Sequence, residues 1–357
     1  MRKRAAGLIA GTERLPTSVR AVFGYYADAG VFDAGSLRLK LRADDAVEEM
    51  IREAFAEIED AVAAEFGYEY VSFAYDTKLV MPAKLTLGYL YRILDQSAHY
   101  EAEAVTRLAV EALLDGDMRD AINDAEYDDF VVDFETTADD RARIAEVAQE
   151  LLQARVEDQF SQYPDSVRAV YDWAVDISEA HQDDDEQFRA LMSRAQDGDE
   201  EALDEIERSY KYADFETQPD VFTQEELELP YLKTQYDRVG VIYDAMIEMY
   251  RETGFEIPDA FKRSIVLAII GAQLWLDDLD DYEADLRDGQ LTPVTAEYLL
   301  AASGAEAKSS VVEISESYLD RASTEATVAD STLTGIATEY IYRDGDPEKL
   351  PTSRPKT

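Results

Sequence analysis

Four aspartates that follow an apolar run are the residues best suited to chemistry in this chain. Asp277, Asp278, Asp281 and Asp285 lie in the stretch GAQLWLDDLDDYEADLRDGQLTP. At about 100° per residue they fall in one arc of a helix. The same arc carries four further residues, Leu267, Ile270, Leu274 and Asp288. Carboxylates on a face that is otherwise a core face predict a site for a hard divalent cation such as Mg²⁺.

The unfavourable electrostatics of this arrangement favour a role in binding a cation, although a plainer interpretation also fits. Aspartates crowded at the C-terminal end of a helix oppose the macrodipole and repel one another at i,i+4 spacing. A bound cation would offset that repulsion. The alternative is a solvated acidic face, because 78 acidic side chains in 357 residues produce such spacings by chance. Asp280 and Glu283 lie outside the arc, as a merely acidic surface would predict.

The order of residues here resembles the second aspartate-rich motif of the class I isoprenoid synthases. The order found in squalene and phytoene synthases is matched by Gln273, Asp277, Asp281, Asp285, Gly289 and Pro293. The tetraprenyl-curcumene synthase type is matched more closely, by Leu276, Asp277, Asp281, Asp285, Gly289 and Leu291. The resemblance implies an all-α bundle in which two facing acidic helices hold about two or three Mg²⁺ ions against a prenyl diphosphate. It also implies that Asp277, Asp281 and Asp285 are catalytic, with Asp278 a further metal ligand.

The resemblance requires a first acidic motif on a facing helix, and one candidate segment is YRILDQSAHYEAEAV. Its residues Arg92, Asp95, His99 and Glu103 share one helical stripe. Asp95 and Glu103 would bind metal, and Arg92 would bind the diphosphate. The structural alternative is a buried Arg92–Asp95 or His99–Glu103 pair that holds helices together, since buried polar groups need partners.

Two other segments offer further candidates. In VYDWAVDISEA, Asp172 and Asp176 lie one turn apart and form an alternative first motif. Near the C-terminus, Arg343 follows Tyr342. Arginine binds phosphate in a bidentate manner, so Arg343 is a second candidate for the diphosphate.

Apolar residues recur at helical period along most of the chain, which predicts an all-α fold. We expect one large helical bundle over residues 1–345, with an acidic helical insertion at about 182–222 and a flexible tail over 346–357. The predicted helices cover residues 42–66, 82–114, 139–160, 165–181, 224–252, 258–287, 293–302 and 305–342. Two short stretches, 68–75 and 128–134, are rich in aromatic and β-branched residues and are predicted to be extended.

Composition limits the environment and the partners. A net charge of -44 is typical of a halophile-type protein in a salt-rich cytoplasm. At molar salt the Debye length falls to about 3 Å, so the repulsion between the acidic side chains is largely screened. The acidic excess excludes nucleic acid and anionic membranes as partners. Without cysteine there is no thiolate catalysis.

The most apolar run, SIVLAIIGAQLWL, is shorter than the roughly 20 residues a membrane span needs. The start, MRKRAAGLIAGTERL, fits either a signal peptide or an amphipathic helix.

Two function classes follow from these observations. The first is a Mg²⁺-dependent enzyme that ionises an allylic prenyl diphosphate in an apolar cavity, as a synthase or a cyclase, with a homodimer left open. The second is a non-catalytic, salt-adapted helical interaction or structural protein. A di-iron carboxylate bundle is excluded, because Gln96 and Ser178 stand where Glu-x-x-His motifs need glutamate. Aspartates that meet a second acidic helix across one cavity favour the enzyme, and aspartates on an open surface favour the alternative.

Overall fold

The fold is all-α, as predicted. The computed structural model describes residues 2–12, 14–30, 34–69, 71–124, 131–132 and 137–353, and helices make up 79% of it. Its strands, within those residues, are β1 (Ser72–Phe73) and β2 (Val131–Val132), which pair in antiparallel orientation. Each strand lies in one of the two stretches predicted to be extended. No helix in the described ranges is long and apolar enough to cross a membrane.

The α-helices carry the architecture. In chain order they are α1 (Arg2–Ala10), α2 (Thr17–Ala29), α3 (Ala34–Phe66), α4 (Met81–Ile93), α5 (His99–Asp124), α6 (Ala138–Phe160), α7 (Asp165–Asp183), α8 (Asp185–Gln196), α9 (Glu200–Ile206), α10 (Leu232–Gln235), α11 (Val241–Glu252), α12 (Asp259–Ala272), α13 (Asp278–Asp280), α14 (Tyr282–Asp288), α15 (Pro293–Leu300), α16 (Gly304–Val328) and α17 (Thr332–Asp344). Wider π-helical turns occupy Glu207–Lys211, Tyr236–Gly240 and Gln273–Asp277. Short 3₁₀ turns occupy Gln96–Ala98, Glu226–Glu228 and Pro347–Lys349.

The chain divides into two compact units. Unit 1 comprises Met1–Asp33, Asp172–Ala245 and Ile257–Thr357, and unit 2 comprises Ala34–Tyr171 and Met246–Glu256. The predicted insertion at 182–222 lies in unit 1. It contains α8 and α9, whose apolar side chains, Leu191, Met192 and Ile206, are buried.

Unit 2 is organised around α3, which packs against α4, α5 and α6. The inward face of α3 repeats apolar residues at the three- and four-residue spacing of an amphipathic helix, as in Val47, Ile51, Ala54, Ile58 and Val62. A second apolar cluster joins α5, α6 and the start of α7 with Met249. Burying these side chains stabilises the unit by removing apolar surface from water.

Unit 1 is centred on α12, which packs along α16. Gly271 permits this close approach, because a Cβ there would lie 2.7 Å from the Leu319 side chain. Helix α2 packs against both α1 and α17. At that contact a Cβ on Gly335 would lie 2.2 Å from the Tyr25 ring, so this position requires glycine.

Several predicted long helices are interrupted, and each break has a local cause. The helix predicted over 82–114 ends at Ile93, because Leu94 and Asp95 adopt extended backbone, and it restarts at His99. The helix predicted over 224–252 is broken at Pro230, which lacks a backbone N–H. The helix predicted over 305–342 is broken at Asp330, whose left-handed φ of 54° ends α16.

The C-terminal residues 345–353, which we call the C-terminal strap, pack against unit 1. Leu350 is 2% exposed within the cluster that contains Trp275 and Tyr282. The Tyr298 hydroxyl donates to the Pro351 carbonyl at 2.7 Å, and Lys349 pairs with Asp280 at 2.7 Å. One apolar anchor and these polar contacts hold residues 345–353 against unit 1, and the flexibility predicted over 346–357 stays a prediction. Residues 354–357 lie outside the described ranges.

Candidate functional site

The aspartate segment is divided into short helical pieces. The π-helical turn Gln273–Asp277 leads into α13, the backbone bends at Asp281, and α14 ends at Gly289, whose φ is 71°. A π turn rotates the following residues relative to an ideal α-helix, and such turns are frequent at functional sites. The single arc predicted from an ideal helix is therefore not kept.

The exposure of the aspartates follows from this rotation. Asp278 is 2% exposed, and Asp277 and Asp285 are half-buried. Asp281 and Asp288 are exposed. Asp278 is thus the inward carboxylate of the group, whereas the spacing placed Asp277, Asp278, Asp281 and Asp285 together on one core-facing arc.

Arg238 faces Asp278 from the second π-helical turn, Tyr236–Gly240. Its Nη1 lies 3.2 Å from Asp278 Oδ1, and Gln273 Nε2 lies 3.3 Å from the same oxygen. The other oxygen, Asp278 Oδ2, is buried and has no partner in the described parts of the chain. Burial raises the pKa of Asp278, and Arg238 opposes that rise. We call Arg238, Asp278, Asp281 and Asp285 the aspartate site.

Asp285 lies on α14 with its charge poorly compensated. Burial first, and then the neighbouring charge of Asp278, raise the pKa of Asp285 to about 6, while Arg238 and the Thr292 hydroxyl act in the opposite direction. Asp281 adds to the rise. A cation bound near these carboxylates would favour the ionised form and lower that pKa again.

Substituting Asp285 should therefore change the pH dependence of stability. The folded pKa of about 6 exceeds the ordinary value of 3.8, so Asp285 lowers stability as pH rises through that interval. Asparagine cannot ionise. We expect Asp285→Asn to increase the free energy of unfolding by about 1–2 kcal/mol at pH 7.5 and by about half of that at pH 5. Denaturant unfolding in molar KCl without divalent cations measures both values, with exposed Glu283→Gln as the control. An equal gain at both pH values would contradict this cause.

Titratable side chains of α7 and of the segment before α11 lie next to the aspartate site. His181 has its pKa lowered to about 4 by burial and by the charges of Arg238 and Lys233. Lys233 Nζ lies 2.6 Å from Asp237 Oδ2. The Tyr210 hydroxyl donates to the Leu291 carbonyl at 2.7 Å. These residues were not predicted from the sequence. For Lys233, Asp237 and Arg238 the available signal was the polar interruption of the apolar pattern in PYLKTQYDRVG.

A second buried ion pair lies on α15 of the same unit. Glu297 is 3% exposed, and its Oε1 accepts from the Tyr231 hydroxyl at 2.5 Å and pairs with Lys211 at 2.6 Å. Tyr231 has a φ of 64°, in the left-handed region that non-glycine residues seldom adopt. Backbone strain of this kind persists where surrounding contacts fix it, and it concentrates at functional sites.

The first candidate for the facing motif forms a polar network inside unit 2. Arg42 Nη2 pairs with Glu103 Oε1 at 3.0 Å, and Arg42 Nη1 donates to His99 Nδ1 at 2.8 Å. The Tyr91 hydroxyl donates to the same Glu103 oxygen at 2.5 Å. Asp95 is exposed beside the helix break. The network joins α3, α4 and α5, and Arg42 bridges His99 and Glu103, the two residues expected to pair directly.

The remaining candidate residues lie elsewhere. The Arg92 guanidinium lies 5.4 Å from the Tyr89 ring centre in unit 2. Asp172 and Asp176 are exposed on α7. Arg343 pairs with Glu339 at 2.5 Å and donates to the Ala10 carbonyl at 3.1 Å, where it caps the end of α1. These contacts give Arg343 a structural role in unit 1.

Unit 2 also contains an open groove of about 690 Å³, with Glu103, Arg107 and Arg155 in its lining. Arg155 binds Glu111, which is 0% exposed, through Nε at 3.3 Å and Nη2 at 2.8 Å. Gln159 donates to Glu111 at 2.5 Å. The buried carboxylate is therefore compensated from the groove side.

Neither unit shows a preformed metal centre in the described ranges. No group of three or more Asp, Glu or His side chains there is arranged to hold an ion. Comparison with protein-family models, curated proteins and solved structures finds no match to this chain. We therefore infer function from the aspartate site itself.

Proposed function

We propose that this chain is a Mg²⁺-dependent enzyme that binds a prenyl diphosphate at the aspartate site and promotes loss of the diphosphate, as an isoprenoid synthase or cyclase. The observation that carries the proposal is the burial of Asp278 beside Arg238, with Oδ2 left unpartnered. A solvated acidic surface keeps its carboxylates in water, because burying an ionised group without full pairing is costly. The all-α fold agrees with the fold that the resemblance implies.

The donor set suits Mg²⁺. This ion takes hard oxygen ligands and commonly binds one or two carboxylates, with waters and substrate phosphates as its other ligands. The ion would be held by the unpartnered Asp278 Oδ2, by Asp285 and by the exposed Asp281, with Asp277 at the edge of the site. When bound, Mg²⁺ would stabilise negative charge on the leaving diphosphate. Mg²⁺ that is bound by one or two carboxylates, waters and substrate phosphates does not need three preformed protein ligands.

The protein residues have separate roles in the proposal. Arg238 is held by Asp278 and would donate to diphosphate oxygens through its remaining N–H groups, a pairing that arginine geometry favours. Asp285, with its pKa of about 6, would lose its remaining proton when a cation binds. The apolar cluster behind the segment, which includes Trp275, Leu279 and Tyr282, fixes the position of the carboxylates.

From the net charge of -44 we infer that the proposed enzyme works in a salt-rich cytoplasm. Such a charge repels a diphosphate in dilute buffer, and salt screens the repulsion between groups separated by more than about one Debye length. Arg238 is half-buried and pairs with the buried Asp278, so salt screens it less than a surface charge and it keeps part of its attraction in molar salt. Binding experiments therefore belong in molar KCl.

A salt-adapted interaction or structural protein is the second candidate. It is favoured by the internal pairing of Glu103 with Arg42 and Tyr91, because this carboxylate already serves to join three helices. In that case Arg238–Asp278 is a buried salt bridge that holds α13 in place. In such a pair the cost of removing the charges from water offsets much of their attraction.

Calorimetric titration separates the two candidates. In molar KCl we expect the wild type to bind a non-hydrolysable prenyl diphosphate analogue only when Mg²⁺ is present. Asp281→Asn/Asp285→Asn should weaken this binding at least about tenfold, equivalent to about 1.4 kcal/mol. Neither side chain is fully buried, so the variant should fold, and Glu283→Gln on the same helix should bind as the wild type does. A wild type without Mg²⁺-dependent binding would favour the interaction protein.

A further inference from the structure

The groove of unit 2 contains a carboxylate that keeps one oxygen available to a ligand. Glu103 lies in the groove lining and is half-buried. Its Oε1 accepts from the Tyr91 hydroxyl at 2.5 Å and from Arg42 Nη2 at 3.0 Å. Among the described residues, none donates a hydrogen bond to Oε2. Two donors therefore fix this carboxylate through one oxygen and leave the other to accept from a ligand.

The arginines of the lining are already paired with carboxylates. Arg107 Nη2 lies 2.6 Å from Glu53 Oε2. Arg155 Nη2 lies 2.8 Å from the buried Glu111. Asp158, by contrast, is exposed in the lining and forms no ion pair with the described residues. The groove therefore has uncompensated negative charge, and charge complementarity favours a cation as its occupant.

Tyrosine rings and aliphatic side chains also line the groove. Tyr100 is 80% exposed, and Tyr163 is half-buried. Burial first, and then the nearby Tyr100, raise the pKa of Tyr163, so the two tyrosines are neighbours. The face of a tyrosine ring attracts an ammonium group, and aliphatic side chains favour hydrocarbon. The aliphatic lining consists of Met50, Ala104, Leu151 and Ala154.

We propose that this groove binds a small organic amine, whose ammonium group pairs with Glu103 and whose apolar body lies against Tyr100 and Tyr163. Asp158 adds to the attraction. The groove volume of about 690 Å³ lies within the range of small-molecule sites, about 300–1,000 Å³. An inorganic cation would meet the charge but not the aromatic and aliphatic surface. The groove lies in unit 2 and the aspartate site in unit 1, so this inference does not rest on the proposed function.

Calorimetric titration with phenethylamine and phenethyl alcohol tests the charge of the ligand, because the two molecules share an apolar body and differ in the ammonium group. Molar KCl screens the general attraction of a chain of net charge -44 for cations. In that solvent we expect the alcohol to bind at least about tenfold more weakly than the amine.

Two variants and a control test the location. Glu103→Gln should weaken amine binding at least about tenfold, while glutamine keeps an acceptor oxygen for Tyr91 and Arg42. Asp158→Asn should weaken it by about two- to threefold, because an exposed charge contributes less. The control is Glu101→Gln, an exposed position two residues earlier on α5, which should bind the amine as the wild type does.

The outcomes decide the inference without reference to the aspartate site. Equal affinity for the amine and the alcohol would overturn it, because the groove would then recognise apolar surface alone. Unchanged amine binding in both groove variants would also overturn it. So would a wild type that binds no amine, or that binds a lysine-rich peptide in its place. If Glu103→Gln does not fold, Asp158→Asn still decides, because the Asp158 side chain forms no ion pair with the described residues.

Discussion

Replacing Arg238 with methionine should lower the free energy of unfolding by about 3–5 kcal/mol at pH 7.5, because the guanidinium compensates a carboxylate that is 2% exposed. Without Arg238, the hydrogen-bond donor that remains to Asp278 in the described part of the chain is the Gln273 amide. Its carboxylate must then either remain charged in the interior or take up a proton. Both responses favour the unfolded state at neutral pH.

A double-mutant cycle identifies the cause of this loss. Asp278→Asn/Arg238→Met removes both charges, so we expect it to recover most of the stability that Arg238→Met loses. Denaturant unfolding in molar KCl measures the four proteins. The loss from Arg238→Met should also shrink toward pH 5, where protonation of Asp278 becomes easier. If the double variant is as unstable as Arg238→Met, the loss comes from packing of the arginine stem and the electrostatic account fails.

The second large effect is expected in unit 2, from Arg155→Met. Glu111 is 0% exposed and receives two guanidinium hydrogen bonds from Arg155. Removing the guanidinium leaves Gln159 as the nearest hydrogen-bond donor to Glu111, and we expect the free energy of unfolding to fall by about 3–5 kcal/mol. Unfolding followed by circular dichroism measures it.

Two comparisons control for the Arg155 effect. Glu111→Gln/Arg155→Met should recover much of the stability, because a neutral amide is less costly to bury than an unpaired carboxylate. Arg143→Met removes an exposed arginine that pairs with Glu146, and it should change stability by less than about 1 kcal/mol. Similar losses from Arg143→Met and Arg155→Met would show that burial of Glu111 is not the reason.

Much of the fold could be predicted because helical periodicity is a local property. The apolar spacing of α3 is readable in the sequence, and so are the aromatic and β-branched stretches that contain β1 and β2. The breaks within the predicted helices were harder to predict from the sequence. Leu94–Ala98 contains neither glycine nor proline, and the left-handed residue at Asp330 carries no signal that other aspartates lack. Such breaks depend on which turns the surrounding helices stabilise.

The site was predicted in part, for a related reason. The aspartate segment is contiguous, so its carboxylates could be identified from spacing. The partner of Asp278 lies 40 residues away at Arg238, and the partner of His99 lies 57 residues away at Arg42. A single sequence does not show which distant side chains meet. The π-helical turn added a second error, because the carboxylates predicted to share one face are divided, with Asp278 buried and Asp281 exposed.

The packing of α2 against α17 has a consequence for how the protein is made. Arg343 donates to the carbonyl of Ala10, a partner 333 residues earlier in the chain. At about 5–20 residues per second, a ribosome needs about 20–70 s to synthesise that interval. The first two helices therefore emerge long before their packing partner exists, whereas most of unit 2 is encoded in one continuous segment and can fold first. During this interval the buried face of α2, which includes Ala21 and Tyr25, is open to association with other nascent chains.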